Sequence, residues 1–162
     1  MVEGLLKLAE GRELNDDELF ALDLYHRASA QAIELFMVPS TAQVLRRLDD
    51  LPRYGVIIRL FSARVQVALP ARYFARWARR LHDFGFTPED AAVLALATFG
   101  TNESGAILGT ESVATFDQPM IQNWTARQPA IRQRLTAMQK NLPSPYCDAP
   151  LPQVQRPEYI SV

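Results

Sequence analysis

Apolar residues recur along the first part of the chain at helical spacing, interrupted by one short apolar run. A helix is predicted over residues 5–9, and Asn15 is a good N-cap for a longer helix whose first turn is acidic. The positions of this helix that should face the core share a helical period: Phe20, Leu24, Ala28 and Ala32. The run Leu35–Val38, which ends at a proline, is typical of a buried parallel strand. A helix over residues 41–48 should follow, with these side chains on its inner side: Val44, Leu45 and Leu48.

The middle of the chain is predicted to hold two strands and one basic helix. Val56–Phe61 and Arg64–Leu69 both read as extended segments, and apolar and polar positions alternate in the second. Pro70 suits the first turn of a helix that runs to about Phe84. The apolar stripe of this helix consists of Phe74, Trp77, Ala78 and Leu81.

The last part of the chain begins with a helix that is apolar on every side and should therefore be buried. Thr87 and Asp90 form a capping-box pattern at its start. The elements expected after it are a loop over 101–109, a strand over 112–116, and helices over 117–124 and 130–140. Helices that alternate with short strands predict a three-layer α/β/α fold with a mostly parallel sheet. We expect one domain over 1–140 and an extended, irregular, proline-rich tail over 141–162.

Composition narrows the class of protein. The chain is 48% hydrophobic and 22% charged, which excludes an intrinsically disordered protein. A single cysteine, Cys147, and two histidines exclude an intramolecular disulfide and a cysteine–histidine zinc cluster, in keeping with a cytoplasmic location. No segment approaches the roughly 20 apolar residues that cross a bilayer, so no membrane partner is expected.

The charges are distributed unevenly, although the net charge is only -1. Residues 1–50 hold ten acidic and five basic residues, whereas 51–82 hold seven arginines and no acid. This basic block also contains five aromatic residues, a composition typical of surfaces that meet phosphates and unstacked bases. The arginines expected to bind RNA lie on the basic helix: Arg72, Arg76, Arg79 and Arg80. The alternative is a solvated helix face that pairs with the acidic N-terminal region.

Two acidic residues lie at positions where the functional groups of open parallel sheets are usually found. Asp117 directly follows the predicted strand, and Asp90 lies in the first turn of the buried helix. Carboxylates that converge there could hold Mg²⁺ or Mn²⁺, hard cations that prefer oxygen ligands and position an attacking water. Each acid also has a simpler interpretation, Asp90 as part of the capping box and Asp117 as an N-cap.

The strings LHDFGFTPEDAAVLALATFG and SVATFDQPMIQN resemble the closing half of a PIN-type nuclease domain. Gly85, Asp90-Ala91, Leu94-Ala95 and Thr115-Phe116-Asp117 match the family pattern in order and approximate spacing. With the stretch Leu35–Leu48, the resemblance covers most of residues 4–124. It implies a metal-dependent endoribonuclease, similar to the toxins of toxin–antitoxin pairs. Its catalytic residues would be Asp90, Asp117 and Thr115, with Asp90 and Asp117 as ligands of Mg or Mn.

Two departures from the family pattern affect the expected function. The family's N-terminal strand with its first acid is absent, and Gln43 stands about where a glutamate is expected. Two of four expected acids remain, so the resemblance implies either an active endoribonuclease or a catalytically impaired relative. The alternative is a non-catalytic module that binds RNA or protein through the helix over residues 70–84. A protein partner or a second copy of the chain could also supply the missing strand.

Overall fold

The computed structural model describes residues 1–160, which form two compact units over 1–67 and 68–160. The last two residues of the predicted tail, 161–162, lie outside the described part of the chain. Both units combine helices with short strands, which confirms the prediction of a mixed α/β chain. Each unit has a hydrophobic core of its own.

The first unit contains four helices and two strands within its described residues. In chain order these are α1 (Val2–Ala9), α2 (Asp16–Ser29), β1 (Leu35–Met37), α3 (Pro39–Asp49), α4 (Gly55–Ser62) and β2 (Val65–Val67). Asn15 caps α2 as predicted, because its side chain accepts a hydrogen bond from the Glu18 amide at 2.8 Å. The Glu18 carboxylate in turn accepts from the Asn15 amide at 3.0 Å, which completes a capping box.

The segment predicted as a strand over Val56–Phe61 is a helix, α4, and the prediction is wrong there. The buried positions of α4 repeat at an interval of three residues: Gly55, Ile58 and Phe61. Val56 and Leu60 are exposed between them. The β-branched residues favoured a strand locally, but the apolar face that packs into the core has a helical period.

Strands β1 and β2 pair in parallel, with Leu35 opposite Val65 and Met37 opposite Val67. The core beside them contains Leu45, Ile58, Phe61 and Val65. Tyr25 stacks on Phe61 with 6.1 Å between ring centroids, and its hydroxyl donates to the Leu60 carbonyl. Val44 and Ala32, predicted to face the core, are exposed instead.

Besides two short 3₁₀ helices, Tyr146–Asp148 and Pro157–Tyr159, the second unit contains three α-helices and four short strands within residues 68–160. They are β3 (Leu69–Pro70), α5 (Phe74–Asp83), α6 (Pro88–Phe99), β4 (Gly100–Thr101), β5 (Ser112–Ala114), α7 (Gln118–Gln139) and β6 (Gln153–Gln155). Helix α5 begins four residues later than predicted, because Pro70 belongs to β3 and pairs with Gly100. Strand β5 is also shorter than the predicted strand over 112–116.

The core of the second unit is built around α5 and α6, which pack against each other. Its fully buried side chains include Trp77, Leu81, Leu94, Phe99 and Ile131. Trp77 and Leu81 belong to the predicted apolar stripe of the basic helix, and α6 is buried as predicted.

The C-terminal segment differs from its prediction in two ways. Helix α7 continues through Pro129, where two separate helices over 117–124 and 130–140 were expected. The tail is also less irregular than expected, since β6 pairs in parallel with β5. Ala149 and Val154 are buried in the core of the second unit, and burial of apolar residues holds this segment in place.

Within residues 1–160 the strands form three separate two-stranded sheets, of which β1–β2 and β5–β6 are parallel and β3–β4 is antiparallel. None of the helices in this part of the chain is both long enough and apolar enough to span a membrane.

Candidate functional site

The predicted RNA-binding arginines lie on and beside α5. Arg76, Arg79 and Arg80 are part of the helix, and Arg72 lies two residues before it. Because Trp77 and Leu81 hold one side of α5 in the core, helical spacing directs Arg76 and Arg79 away from that side, whereas Arg80 is 40% exposed. We call Arg72, Arg76, Arg79 and Arg80 the basic face.

Two arginines of the basic face also line a cleft of about 120 Å³ in the second unit. Its lining residues come from α5 and from the C-terminal part of α7 with the residues after it: Arg76, Arg80, Arg134, Ala137, Met138 and Asn141. We call this the arginine cleft. Three arginines and one asparagine thus line the same cleft, and their guanidinium and amide groups are donors suited to an anion with several oxygens.

The cations of the arginine cleft are only slightly neutralised by acids. Arg80 forms an ion pair with Asp83 at 3.5 Å, and both side chains are exposed to solvent, by 40% and 60%. Such an exposed pair is weak. Among residues 1–160, neither Arg76 nor Arg134 forms an ion pair or hydrogen bond through its side chain. The cleft therefore presents an excess of positive charge beside the mostly buried side chain of Met138.

Arg134 and Asn141 were not among the predicted site residues. The sequence does indicate a second basic stretch around Arg134, because residues 118–147 contain no aspartate or glutamate. Lys140 and three arginines, Arg127, Arg132 and Arg134, fall in this stretch. The packing that brings only Arg134 of these to the cleft is long-range and is not encoded in the local pattern.

All five aromatic residues of the basic block belong to or pack against a hydrophobic core. Phe61 and Trp77 are buried, which excludes them from stacking with a ligand. Tyr73 packs edge-on against Tyr146, with 4.9 Å between ring centroids, and Phe74 packs against the core. The expectation that aromatics and arginines act together is therefore wrong for Phe61 and Trp77, since burial of their rings stabilises the core instead. Arg72 does lie over the half-buried Tyr73 ring, with 5.5 Å from its guanidinium carbon to the ring centroid.

One arginine of the basic block follows the alternative interpretation. Arg53 donates two hydrogen bonds to the Glu10 carboxylate, at 2.9 and 3.0 Å, within the first unit. The Arg53 guanidinium lowers the pKa of Glu10, and the same hydrogen bonds raise the pKa of Arg53. Pairing with the acidic N-terminal region is thus confirmed for Arg53.

Asp117 and Asp90 both lie at helix N-termini, as predicted. The Asp117 carboxylate caps α7 by accepting from the Met120 amide at 2.9 Å. Thr115 accepts from the Asp117 amide at 3.1 Å and so fixes the turn before the helix. Thr87 caps α6 by accepting from the Asp90 amide at 3.1 Å. The capping interpretation is confirmed for Asp117 and for Thr87.

The carboxylates of Asp117 and Asp90 both have oxygens that no capping hydrogen bond uses. Only one oxygen of Asp117 accepts a capping bond, and within residues 1–160 no hydrogen bond or ion pair involves the Asp90 carboxylate. The described residues contain no group of three or more histidines, cysteines, aspartates or glutamates that could hold a metal ion. Gln43, which stands about where the family glutamate is expected, is exposed on α3.

Comparisons of this chain with protein-family models, with curated proteins and with solved structures found no significant match.

Proposed function

We propose that the second unit binds RNA through its phosphate groups, using the basic face and the arginine cleft. The observation that supports this most is the convergence of Arg76, Arg80 and Arg134 from two helices onto one cleft. Arginine forks match the geometry of phosphate oxygens and bind them with charge-assisted hydrogen bonds.

Contacts to phosphates, not to bases, account for the proposed binding. The aromatic rings nearest to the basic face are buried or packed against the core, so stacking contributes little. Phosphate contacts position a nucleic acid without reading its sequence. Binding should therefore show little sequence preference and a strong dependence on salt.

The choice of RNA as the ligand comes from the PIN resemblance. The same resemblance includes a three-layer α/β/α arrangement with a mostly parallel sheet, which is therefore also proposed. The parallel pairs β1–β2 and β5–β6 are consistent with that arrangement. A cytoplasmic location, which the single cysteine favours, and a protein partner or second copy of the chain are also part of the proposal.

The proposal is tested by removing two charges from the basic face. The variant Arg76→Gln/Arg79→Gln should bind a fluorescent single-stranded RNA about tenfold or more weakly at low salt, since each arginine contributes charge-assisted hydrogen bonds. The measurement is a fluorescence anisotropy titration with an RNA that has hydroxyl groups at both ends.

A matched control removes two arginines from the first unit. Arg59 and Arg64 are exposed and come from the same acid-free block, so Arg59→Gln/Arg64→Gln changes the net charge equally. This control should retain wild-type affinity. Equal loss in both variants would show that overall charge, not the basic face, causes the effect, and no measurable RNA binding by the wild-type chain would contradict the proposal.

A metal-dependent endoribonuclease is the second candidate, and the unused carboxylate oxygens of Asp90 and Asp117 favour it. In this case Asp90 and Asp117 would hold Mg²⁺ or Mn²⁺, and Thr115 would support Asp117 through the hydrogen bond to its amide. The ion would neutralise charge on the phosphodiester during cleavage.

Asp117→Asn separates the two roles of this residue. Asparagine is as good an N-cap as aspartate, so α7 should keep its start while the site loses one anionic ligand. We expect Mn²⁺-dependent cleavage of single-stranded RNA to disappear in this variant, with RNA binding retained. Cleavage at the wild-type rate would exclude Asp117 as a metal ligand.

A further inference from the structure

We infer that the arginine cleft takes a phosphate monoester, namely the terminal phosphate of an RNA strand. This inference rests on the proposed RNA binding and adds to it a preference for phosphorylated ends. The contact that distinguishes the cleft from the basic face is Arg134, which belongs to α7 and lies outside the basic block.

The charge of the cleft fits a monoester better than an internal phosphodiester. A phosphate monoester carries about -1.5 to -2 charges at neutral pH and presents three terminal oxygens, whereas a diester carries a single charge. Arg76, Arg80 and Arg134 all line this one small cleft, so three cationic side chains are available to a single anion. The Asn141 side-chain amide adds an uncharged donor.

The size of the cleft points to the same group. Its volume of about 120 Å³ lies below the roughly 300–1,000 Å³ of clefts that hold drug-sized ligands, so it suits a small anion. A terminal phosphate enters such a space with its single ester bond pointing outward. An internal phosphate has a sugar on either side, and both sugars would have to remain outside while the phosphate reaches all three arginines.

The rest of the lining is compatible with this binding. Met138 is 8% exposed and Ala137 is apolar, so neither side chain carries a charge that competes with the anion for the arginines. The Arg80–Asp83 ion pair at 3.5 Å is long, so Arg80 can turn toward a bound phosphate at small cost.

The test compares three RNAs of one sequence that carry a 5′-phosphate, a 3′-phosphate or hydroxyl groups at both ends. The wild-type chain should bind one of the phosphorylated RNAs about tenfold more tightly than the hydroxyl-ended RNA. An excess of inorganic phosphate should lower the affinity for that RNA to the level of the hydroxyl-ended one.

The decisive variant is Arg134→Gln, with Arg132→Gln as its control on the same helix. Arg132 is exposed and does not line the cleft. Arg134→Gln should remove the preference for the phosphorylated end, so that this variant binds the phosphorylated and the hydroxyl-ended RNA with affinities within about twofold of each other. Arg132→Gln should retain the preference, and Arg134→Lys should retain part of it because the charge remains.

Three results would overturn this inference. The wild-type chain could bind all three RNAs equally, the preference could persist in Arg134→Gln, or inorganic phosphate could leave it unchanged. Each of these leaves the proposed RNA binding in place. Failure of the proposed function would look different, since the wild-type chain would then bind none of the three RNAs.

Discussion

At the residue scale, the Trp77 indole is the largest fully buried side chain of the second unit. Its ring nitrogen donates to the Thr98 hydroxyl at 3.2 Å, and Thr98 donates to the Leu94 carbonyl within α6. Trp77 lies one turn or less from the arginines of α5, so this hydrogen bond fixes the side of α5 that faces the core. The orientation of the basic face depends on it.

Thr98→Val should destabilise the second unit by about 1–3 kcal/mol, because valine keeps the shape of threonine but leaves the Trp77 donor without an acceptor in the core. Both tryptophans of the chain, Trp77 and Trp124, belong to the second unit, so tryptophan fluorescence during urea unfolding reports on it.

Thr125→Val is the matched control for this measurement. The Thr125 hydroxyl donates to the Ile121 carbonyl on an exposed part of α7, where water can replace the bond. Its loss should change the free energy of unfolding by less than about 0.5 kcal/mol. Equal effects of the two substitutions would show that the Trp77–Thr98 bond does not stabilise the core.

At the scale of elements, a capping box stabilises the start of α2, and the Glu18 carboxylate of this box has a second hydrogen-bond partner. Glu18 accepts from Lys7 of α1 at 2.6 Å, and this hydrogen bond, together with that from the Asn15 amide, lowers the pKa of Glu18. A lowered pKa in the folded state contributes stability that is present above the unfolded pKa of about 4.3 and is lost as pH falls through the folded value.

Glu18→Gln should therefore destabilise the first unit near neutral pH, and the difference from the wild type should shrink as pH falls below about 4. Glutamine keeps the capping hydrogen bond, so the substitution isolates the charge. The measurement is hydrogen exchange of the α2 amides against pH. A difference that persists unchanged at low pH would show that Lys7 does not stabilise the Glu18 carboxylate.

Elements with polar boundary signals are the ones that the sequence predicts well. Asn15, Thr87 and Asp117 each cap a helix as expected, because capping is decided by a few neighbouring residues. Helix α4 was predicted as a strand because its β-branched residues carry a local preference that tertiary packing overrides. The pairing of β6 with β5 joins residues about forty positions apart, and no local pattern encodes it.

At the scale of the whole molecule, the described chain has two cores, and the candidate site belongs to the second unit alone. Four of its arginines could be predicted, because an acid-free run with helical spacing places them on one element. Arg134 could not be assigned to the same site from the sequence. It reaches the cleft through the tertiary arrangement of α5 and the C-terminal part of α7, which no local pattern encodes.

The salt dependence of RNA affinity tests the central claim, phosphate binding by the basic face, most directly. The dissociation constant of a hydroxyl-ended single-stranded RNA is measured over a range of salt concentrations for the wild-type chain and for Arg76→Gln/Arg79→Gln. The plot of log affinity against log salt should be steep for the wild type and shallower in the variant, by about 0.7 for each phosphate contact removed. Equal slopes for the two chains, or binding that does not depend on salt, would contradict the account.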